Sequence, residues 1–429
     1  MASGRTVGYF ALRSIGWLVD NLLVFGIPLL CYRVTGGLTW SGVAVVLTWT
    51  PRLLSLAGAG YLVDRLSIRQ IFLVSDAGRL ALAAVCCLLI LLRPSTAVPV
   101  VLVFGMLSGA FFEQTFVAGE KAGRLLTPPE RAARTQSVLT GLEQAAIIAG
   151  PALGGLLLLF PPAVFVATAG AGYAASLLLA LALPAGRADP DAAPSPLAGL
   201  RRTVRDPVLR SVVLLTMGLN YLLSLLIGSA PALVATRYGV SESALGFVYS
   251  AAGVASIAVV GIAPWLIGRL GLWRYGIGLA VASALVCLGL SVAPDLALFG
   301  VALGVFLALD SLFSVYLRTT RAERVPTGEY GSAVAAFGLL LVAPMPVAGA
   351  TLALAGSSVD PATLLRVAAV GALVLALALL PGLARAGRPA PADPHHPHDP
   401  HPHDPHPHDP HHHDAGTATV AHEREDIAR

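Results

Sequence analysis

Gly60-Tyr61-Leu62-Val63-Asp64-Arg65-Leu66-Ser67-Ile68-Arg69 closes one long apolar run and opens the next. Upstream, residues 40–62 carry one charge, Arg52; downstream, residues 70–92 carry two, Asp76 and Arg79. Each run is as long as the ~20 residues a helix needs to cross a bilayer. A short charged turn between two such runs is where a chain leaves lipid, meets water and re-enters.

Working outward, the pattern repeats. Apolar blocks fall at roughly 8–33, 40–62, 70–92, 97–119, 137–159, 163–183, 208–235, 243–267, 273–293, 296–318, 332–355 and 361–383. Apolar residues make up 56% of the 429-residue chain and charged residues 12%, more apolar surface than a water-soluble core hides. Backbone groups in lipid must be bonded within the element, and these runs are too continuous for alternating barrel strands. The expected fold class is therefore an all-α membrane protein of twelve transmembrane helices, with the polar stretch 319–331 as a loop. No A-x-A-like cleavage site follows Arg5 and Arg13, so the first block is expected to stay as a span. The four cysteines fall inside blocks and read as packing residues.

The composition also excludes chemistries. Lys121 is the only lysine, in Gly119-Glu120-Lys121-Ala122, without the glycine run or the Ser/Thr of a phosphate-binding loop. All 11 histidines lie between His395 and His422, so no HExxH zinc site exists in the body. The chain is expected not to be an enzyme.

Alternate loops carry Arg65 and Arg69; Lys121, Arg124, Arg131 and Arg134; Arg187, Arg201, Arg202, Arg205 and Arg210; Arg269 and Arg274; Arg318, Arg321 and Arg324. The opposite loops carry only Arg33, Arg93, Arg237 and Arg366. The bias puts both termini in the cytoplasm of a multi-pass inner-membrane protein. Basic residues spread so thinly do not make a nucleic-acid surface. Pro28 matches Pro231, Ser41-Gly42-Val43 resembles Leu245-Gly246-Phe247, and Arg65-Leu66 matches Arg269-Leu270. This internal repeat divides the chain into a six-helix bundle (1–184), a linker with an amphipathic helix (185–207), a second pseudo-symmetric six-helix bundle (208–383) and a tail (384–429). In the linker Leu197, Leu200 and Val204 oppose Arg201, Arg202 and Arg205, which suits the inner leaflet surface.

The opening decapeptide resembles the signature G-x-L-x-D-R-x-G-R-[KR] of the major facilitator superfamily, with Ser67 and Ile68 departing from it. The resemblance covers residues 7–383 and implies that Gly60, Asp64, Arg65 and Arg69 gate the cytoplasmic ends of the two halves; the alternative is a solvated basic loop. Gly150-Pro151-Ala152-Leu153-Gly154-Gly155 is similar to the antiporter motif of the drug-efflux branch, with Ala146 at an upstream glycine position. This implies that Gly150, Pro151, Gly154 and Gly155 take part in gating an exporter; the alternative is small-residue helix packing. With Arg13-Ser14 separated from Asp20 by five residues, and Thr50-Pro51-Arg52, the chain most resembles macrolide and siderophore (enterobactin-type) exporters.

Ionisable groups inside a membrane are costly and read as functional. Asp20 and Arg52 match in depth and are expected to pair. Glu113, Asp310 and Glu143, in that order, are the candidate proton carriers; Asp310 has no basic residue within a helical turn, and a buried carboxylate without a cation beside it can exchange a proton near neutral pH. Gln114, Gln144 and Asn220 complete the proton and substrate set. The alternative for each acid is a helix-locking contact with Arg13, Arg79 or Asn220. Asp76 and Arg79 read as a structural pair. Trp17, Trp49, Phe116, Tyr221 and Tyr249 are candidate cavity aromatics, Trp40 and Trp265 interfacial ones.

The tail repeats His-Pro-His-Asp-Pro from residue 396. His396, His398, His401, His403, His406, His408, His411, His412 and His413 are the candidate ligands for Ni, Co or Zn in a proline-rich segment that is expected to be disordered; no cofactor is required. The layout is similar to superfamily exporters of nickel or cobalt resistance with histidine-rich C-termini. The expectation is a monomeric, proton-coupled exporter of a small organic molecule (a drug, metabolite or metallophore), with divalent-metal efflux as the alternative.

Overall fold

The computed structural model describes residues 4–126, 132–183, 196–325, 330–356 and 358–386. The tail histidines, and the side chains of Asp64 and Arg65, lie outside the described part. Among the described residues the chain is helical throughout, without a strand. The first half supplies α1 (Gly4–Thr35), α2 (Leu38–Arg65), α3 (Ile68–Leu92), α4 (Ala97–Leu126), α5 (Ala132–Leu157) and α6 (Pro162–Ala180). A short α7 (Pro196–Arg205) follows. The second half supplies α8 (Pro207–Leu233), α9 (Glu242–Val260), α10 (Ala263–Leu270), α11 (Leu272–Val292), α12 (Leu296–Arg324), α13 (Tyr330–Val342), α14 (Pro344–Ala355) and α15 (Pro361–Ala386).

Every apolar block of the sequence falls on a helix or a pair of helices. Nine stretches among the described residues are long and apolar enough to cross a membrane; α5 and α9 add the shorter apolar stretches Gly141–Leu157 and Ala244–Val254. Two blocks that read as single spans are broken. The chain turns at Gly261 and Ile262 before Pro264 starts α10, and at Ala343 before Pro344 starts α14. Proline has no N–H to give the preceding turn, so the ladder is interrupted where it stands and restarts with proline in the first turn. The expected loop 319–331 is corrected as well, since α12 continues through Arg324. Arg321 and Arg324 occupy its last turn, where cations favour the negative end of the helix dipole and long stems carry the charge toward water.

At the opening decapeptide, α2 ends at Arg65 and only Leu66 and Ser67 separate it from α3. Ser67, a departure from the signature, is the N-cap of α3. Its Oγ accepts from the Gln70 N–H at 3.2 Å while Gln70 Oε1 accepts from the Ser67 N–H at 3.0 Å. This capping box satisfies two orphan donors and sets the entry angle of α3.

Packing is local within each half: α1 lies against α5 and α6, α2 against α4, α3 against α4 and α6; α8 lies against α14 and α15, α11 against α12 and α15, α12 against α9. Between the halves, α2 packs on α14 and α5 on α9. The outer surface keeps apolar ridges such as Leu88, Leu91 and Leu92 on α3 and Val367, Val370 and Val374 on α15, as expected where the solvent is lipid.

Candidate functional site

Three helices of the first half bring their ionisable groups to one point. Arg52 of α2 donates from Nη1 to Asp20 Oδ2 of α1 at 3.1 Å and from Nη2 to Asp20 Oδ1, a two-point pair. Glu113 of α4 lies 3.6 Å from the same guanidinium. The Arg52 side chain is 2% exposed, Asp20 13% and Glu113 9%. Trp49 and Phe112 flank the guanidinium with ring centroids at 5.0 and 5.1 Å. Space for it comes from Gly109, one turn before Glu113, where a Cβ would stand 2.8 Å from Arg52 Nε. Taking one partner away from a buried charge pair costs about 3–5 kcal/mol, because the remaining charge is left desolvated. The sequence reading did not single out Gly109; its signal was a glycine at i−4 from a buried acid, on the same helix face.

The neighbouring arginines are each engaged. Arg13 of α1 reaches Glu120 at 2.9 Å and lies between the rings of Trp17 at 4.3 Å and Phe116 at 5.3 Å. A Cβ at Gly119 would overlap its guanidinium, so α4 seats a second arginine on a second glycine. Arg79 pairs with Asp76 within α3, and Asp76 accepts from the Ser176 Oγ–H of α6 at 2.6 Å. Glu113 is thus held by Arg52, not by Arg13 or Arg79. Trp17, Trp49 and Phe116 are the walls of arginine cages rather than a free aromatic lining.

The other candidates are placed as follows. Gln114 donates to the Ser55 carbonyl and hydroxyl at 3.2 and 2.7 Å, while its Oε1 and Arg52 Nε, both buried, have no hydrogen-bond partner among the described residues. Asn220 of α8 donates to the Leu341 carbonyl of α13 at 2.8 Å, and Tyr221 shares a hydrogen bond with Thr351 of α14 at 2.9 Å. Glu143 and Gln144 sit half-buried on α5 and Asp310 half-buried on α12, none of them in a described ion pair. Arg69 is half-buried in the first turn of α3. Two cavities, about 350 and 290 Å³, are lined by second-half helices and do not include the Asp20–Arg52–Glu113 cluster. Among the described residues no group of three or more His, Cys, Asp or Glu could hold a metal ion.

The helix-5 motif faces two ways. Gly150 lies against the backbone of Asn21 and Leu22 in α1, and Gly154 against Phe25 and Gly26. On the other side, the Pro151 carbonyl and Gly155 meet Gly246 of α9, where a Cβ would stand 2.8 Å from Gly155 Cα. At α2, a Cβ on Gly42 would come within 2.6 Å of the Gly349 carbonyl of α14, and one on Gly349 within 2.7 Å of the Val46 amide. The Ser41 hydroxyl donates to the Gly228 carbonyl at 2.6 Å. All these contacts between halves lie toward the face opposite the arginine-rich loops.

A family model described as the Major Facilitator Superfamily matches residues 9–350. The chain belongs to that superfamily. Solved structures share this superfamily fold at low identity. A mutant of a peptide transporter POT in complex with sulfate is 12% identical with TM-score 0.72, over 90% of this chain and 95% of the other. A mutant of the nucleoside transporter NupG is 10% identical with TM-score 0.70, over 90% and 100%. A bacterial homologue of the iron transporter ferroportin, in its inward-facing state, is 16% identical with TM-score 0.67, over 89% and 98%. A comparison with the curated proteins finds no match.

Proposed function

We propose that this superfamily member is a secondary active transporter that exports a small organic molecule, a drug, metabolite or metallophore, by alternating access coupled to protons. The observation that carries the reading is one buried arginine shared by two acids from two other helices, Asp20 and Glu113. Two carboxylates on one guanidinium leave one negative charge unneutralised, and a proton on Glu113 removes it. Protonation therefore changes how tightly α4 is tied to α1 and α2. Asp310, without a described ion pair in the second half, is the second carrier. The unpartnered Gln114 Oε1 and Arg52 Nε are polar groups for a substrate to meet. Export, as opposed to import, is favoured by the small-residue and proline motif of α5, whose two faces tie α1 to α9. The loop bias favours an inner-membrane location with both termini in the cytoplasm, and the chain is read as a monomer.

The test is efflux in inverted vesicles under an imposed pH gradient, with fluorescent amphipathic probes. The wild-type chain drives probe into the vesicle lumen when the gradient is formed and stops on its collapse, whereas Glu113→Gln and Asp310→Asn together abolish this gradient-driven transport. Undiminished efflux by that double variant refutes the proton mechanism.

Divalent-metal efflux is the second reading. It is favoured by the nine candidate ligands among the tail histidines and by likeness in fold to a ferroportin homologue. The absence of a metal-holding group among the described residues of the body weighs against a bare cation; a metal carried inside a chelate would travel with its own ligands.

A further inference from the structure

Four basic residues stand on the face opposite the arginine-rich loops, and two of them, Arg237 and Arg366, line a single cavity of about 350 Å³. It opens where α8, α11 and α15 end or begin, and its wall includes Thr236, Ser291, Val292 and Asp360. The chain is locally remade there: α8 runs into a π-helical turn, Val234–Tyr238, closed by Gly239 at φ 62°. The wider π turn carries Arg237 to the end of α11, where its Nη1 donates to the Ser291 carbonyl at 2.7 Å. That bond aims the guanidinium and uses one of its five N–H groups.

Arg366 is oriented from the other wall. It lies 3.5 Å from Asp360 and donates to the Thr363 hydroxyl at 3.0 Å. Asp360 is itself occupied, accepting from the Thr363 amide at 3.2 Å at the start of α15. Two guanidinium groups and one carboxylate leave the lining of the cavity with one net positive charge. The chemistry that answers this is an oxyanion able to take forked N–H donors, a phosphate above all.

A second, independent observation indicates what carries the phosphate. The ridge Val367, Val370 and Val374 begins next to Arg366 and runs down the outside of α15, with exposures of 68%, 49% and 59%. Val292, on the cavity wall, is 55% exposed. Apolar side chains bare to this degree on a membrane helix meet acyl chains. A phosphate held by Arg237 and Arg366 would have its tails on that ridge.

We propose that this cavity is a binding site for the phosphate headgroup of an anionic phospholipid, which clasps α8, α11 and α15 together. The proposal is independent of the transport reading. The test uses the purified full-length protein in detergent. It is titrated with phosphatidylglycerol, phosphatidylcholine or inorganic phosphate, following retained lipid by native mass spectrometry and the unfolding midpoint by scanning fluorimetry. Phosphatidylglycerol is expected to raise the midpoint and to be retained. Arg237→Gln weakens its binding about tenfold, the loss of one charge-assisted contact, and Arg93→Gln on the same face leaves it unchanged. Arg366→Lys retains more binding than Arg366→Gln. Should Arg366→Gln fail to fold for want of its Asp360 partner, Arg237→Gln decides, since it leaves the start of α15 intact. Equal binding by Arg237→Gln and wild type overturns the site. An equal shift from phosphatidylcholine, or the full shift from inorganic phosphate alone, overturns the anionic lipid as its occupant.

Discussion

At the scale of the residue, the centre of the molecule is a question of how three charges survive out of water. Arg52 has more than one way to be neutralised, and the two acids compete for it. Removing the guanidinium should therefore be worse than removing an acid along with it. We expect Arg52→Gln to lower unfolding stability by about 3–5 kcal/mol, with Asp20→Asn in the same chain recovering part of the loss. Strictly additive losses in the double variant, measured by thermal unfolding in detergent, would mean that the two side chains do not share their energy. Glu113→Gln leaves the Asp20–Arg52 pair intact, so its expected signature is kinetic: efflux persists at a reduced rate and loses its dependence on external pH. A pH profile parallel to that of wild type would reassign proton carriage to another acid.

The pairing of Asp20 with Arg52 was foreseeable because both stand alone at matching depth in adjacent apolar runs. The third member was not assignable, since the distance between α2 and α4 is a property of packing. Gly109 and Gly119 show the same limit. Each looked like one more small residue in a membrane helix, yet each is an arginine's seat, and nothing in the spacing says which side chain from another helix will fill the gap.

At the scale of the element, the seams between halves are backbone against backbone. Gly42 on Gly349 and Gly246 on Gly155 leave no room for even a methyl group. Gly42 and Gly246 are also the matched glycines of the internal repeat. Overpacking such a contact costs about 1–3 kcal/mol, and about 1.4 kcal/mol already shifts a two-state population tenfold. Gly42→Ala and Gly246→Ala are each expected to part this face. Spin labels at Thr39→Cys and Ser358→Cys, at neighbouring ends of α2 and α14, would report a longer distance in both variants. An unchanged distance distribution would mean that the seams relax without separating. The helix-5 motif gains its meaning at this scale, because Gly150 and Gly154 serve α1 while Pro151 and Gly155 serve α9.

At the scale of the whole molecule, the tail is the element whose purpose the body does not explain. Under the metal-efflux reading, a chain truncated before residue 390 should leave cells more sensitive to nickel or cobalt, about as sensitive as cells lacking the protein. Under the organic-export reading the same truncation leaves probe efflux intact. Growth inhibition and dye extrusion measured on one truncated strain separate the two.

The number and order of apolar runs, the basic bias of alternate loops and the repeat near 204 residues were all present in the chain before any coordinates. Lipid makes them decisive, because a backbone without water must be bonded within its own element, and apolar runs this continuous do so as helices. Which acid shares Arg52, and that Arg237 and Arg366 face one cavity, belonged to three dimensions. Those outcomes depend on distances between helices far apart in the chain, and side-chain periodicity within one helix carries no record of its neighbour's position.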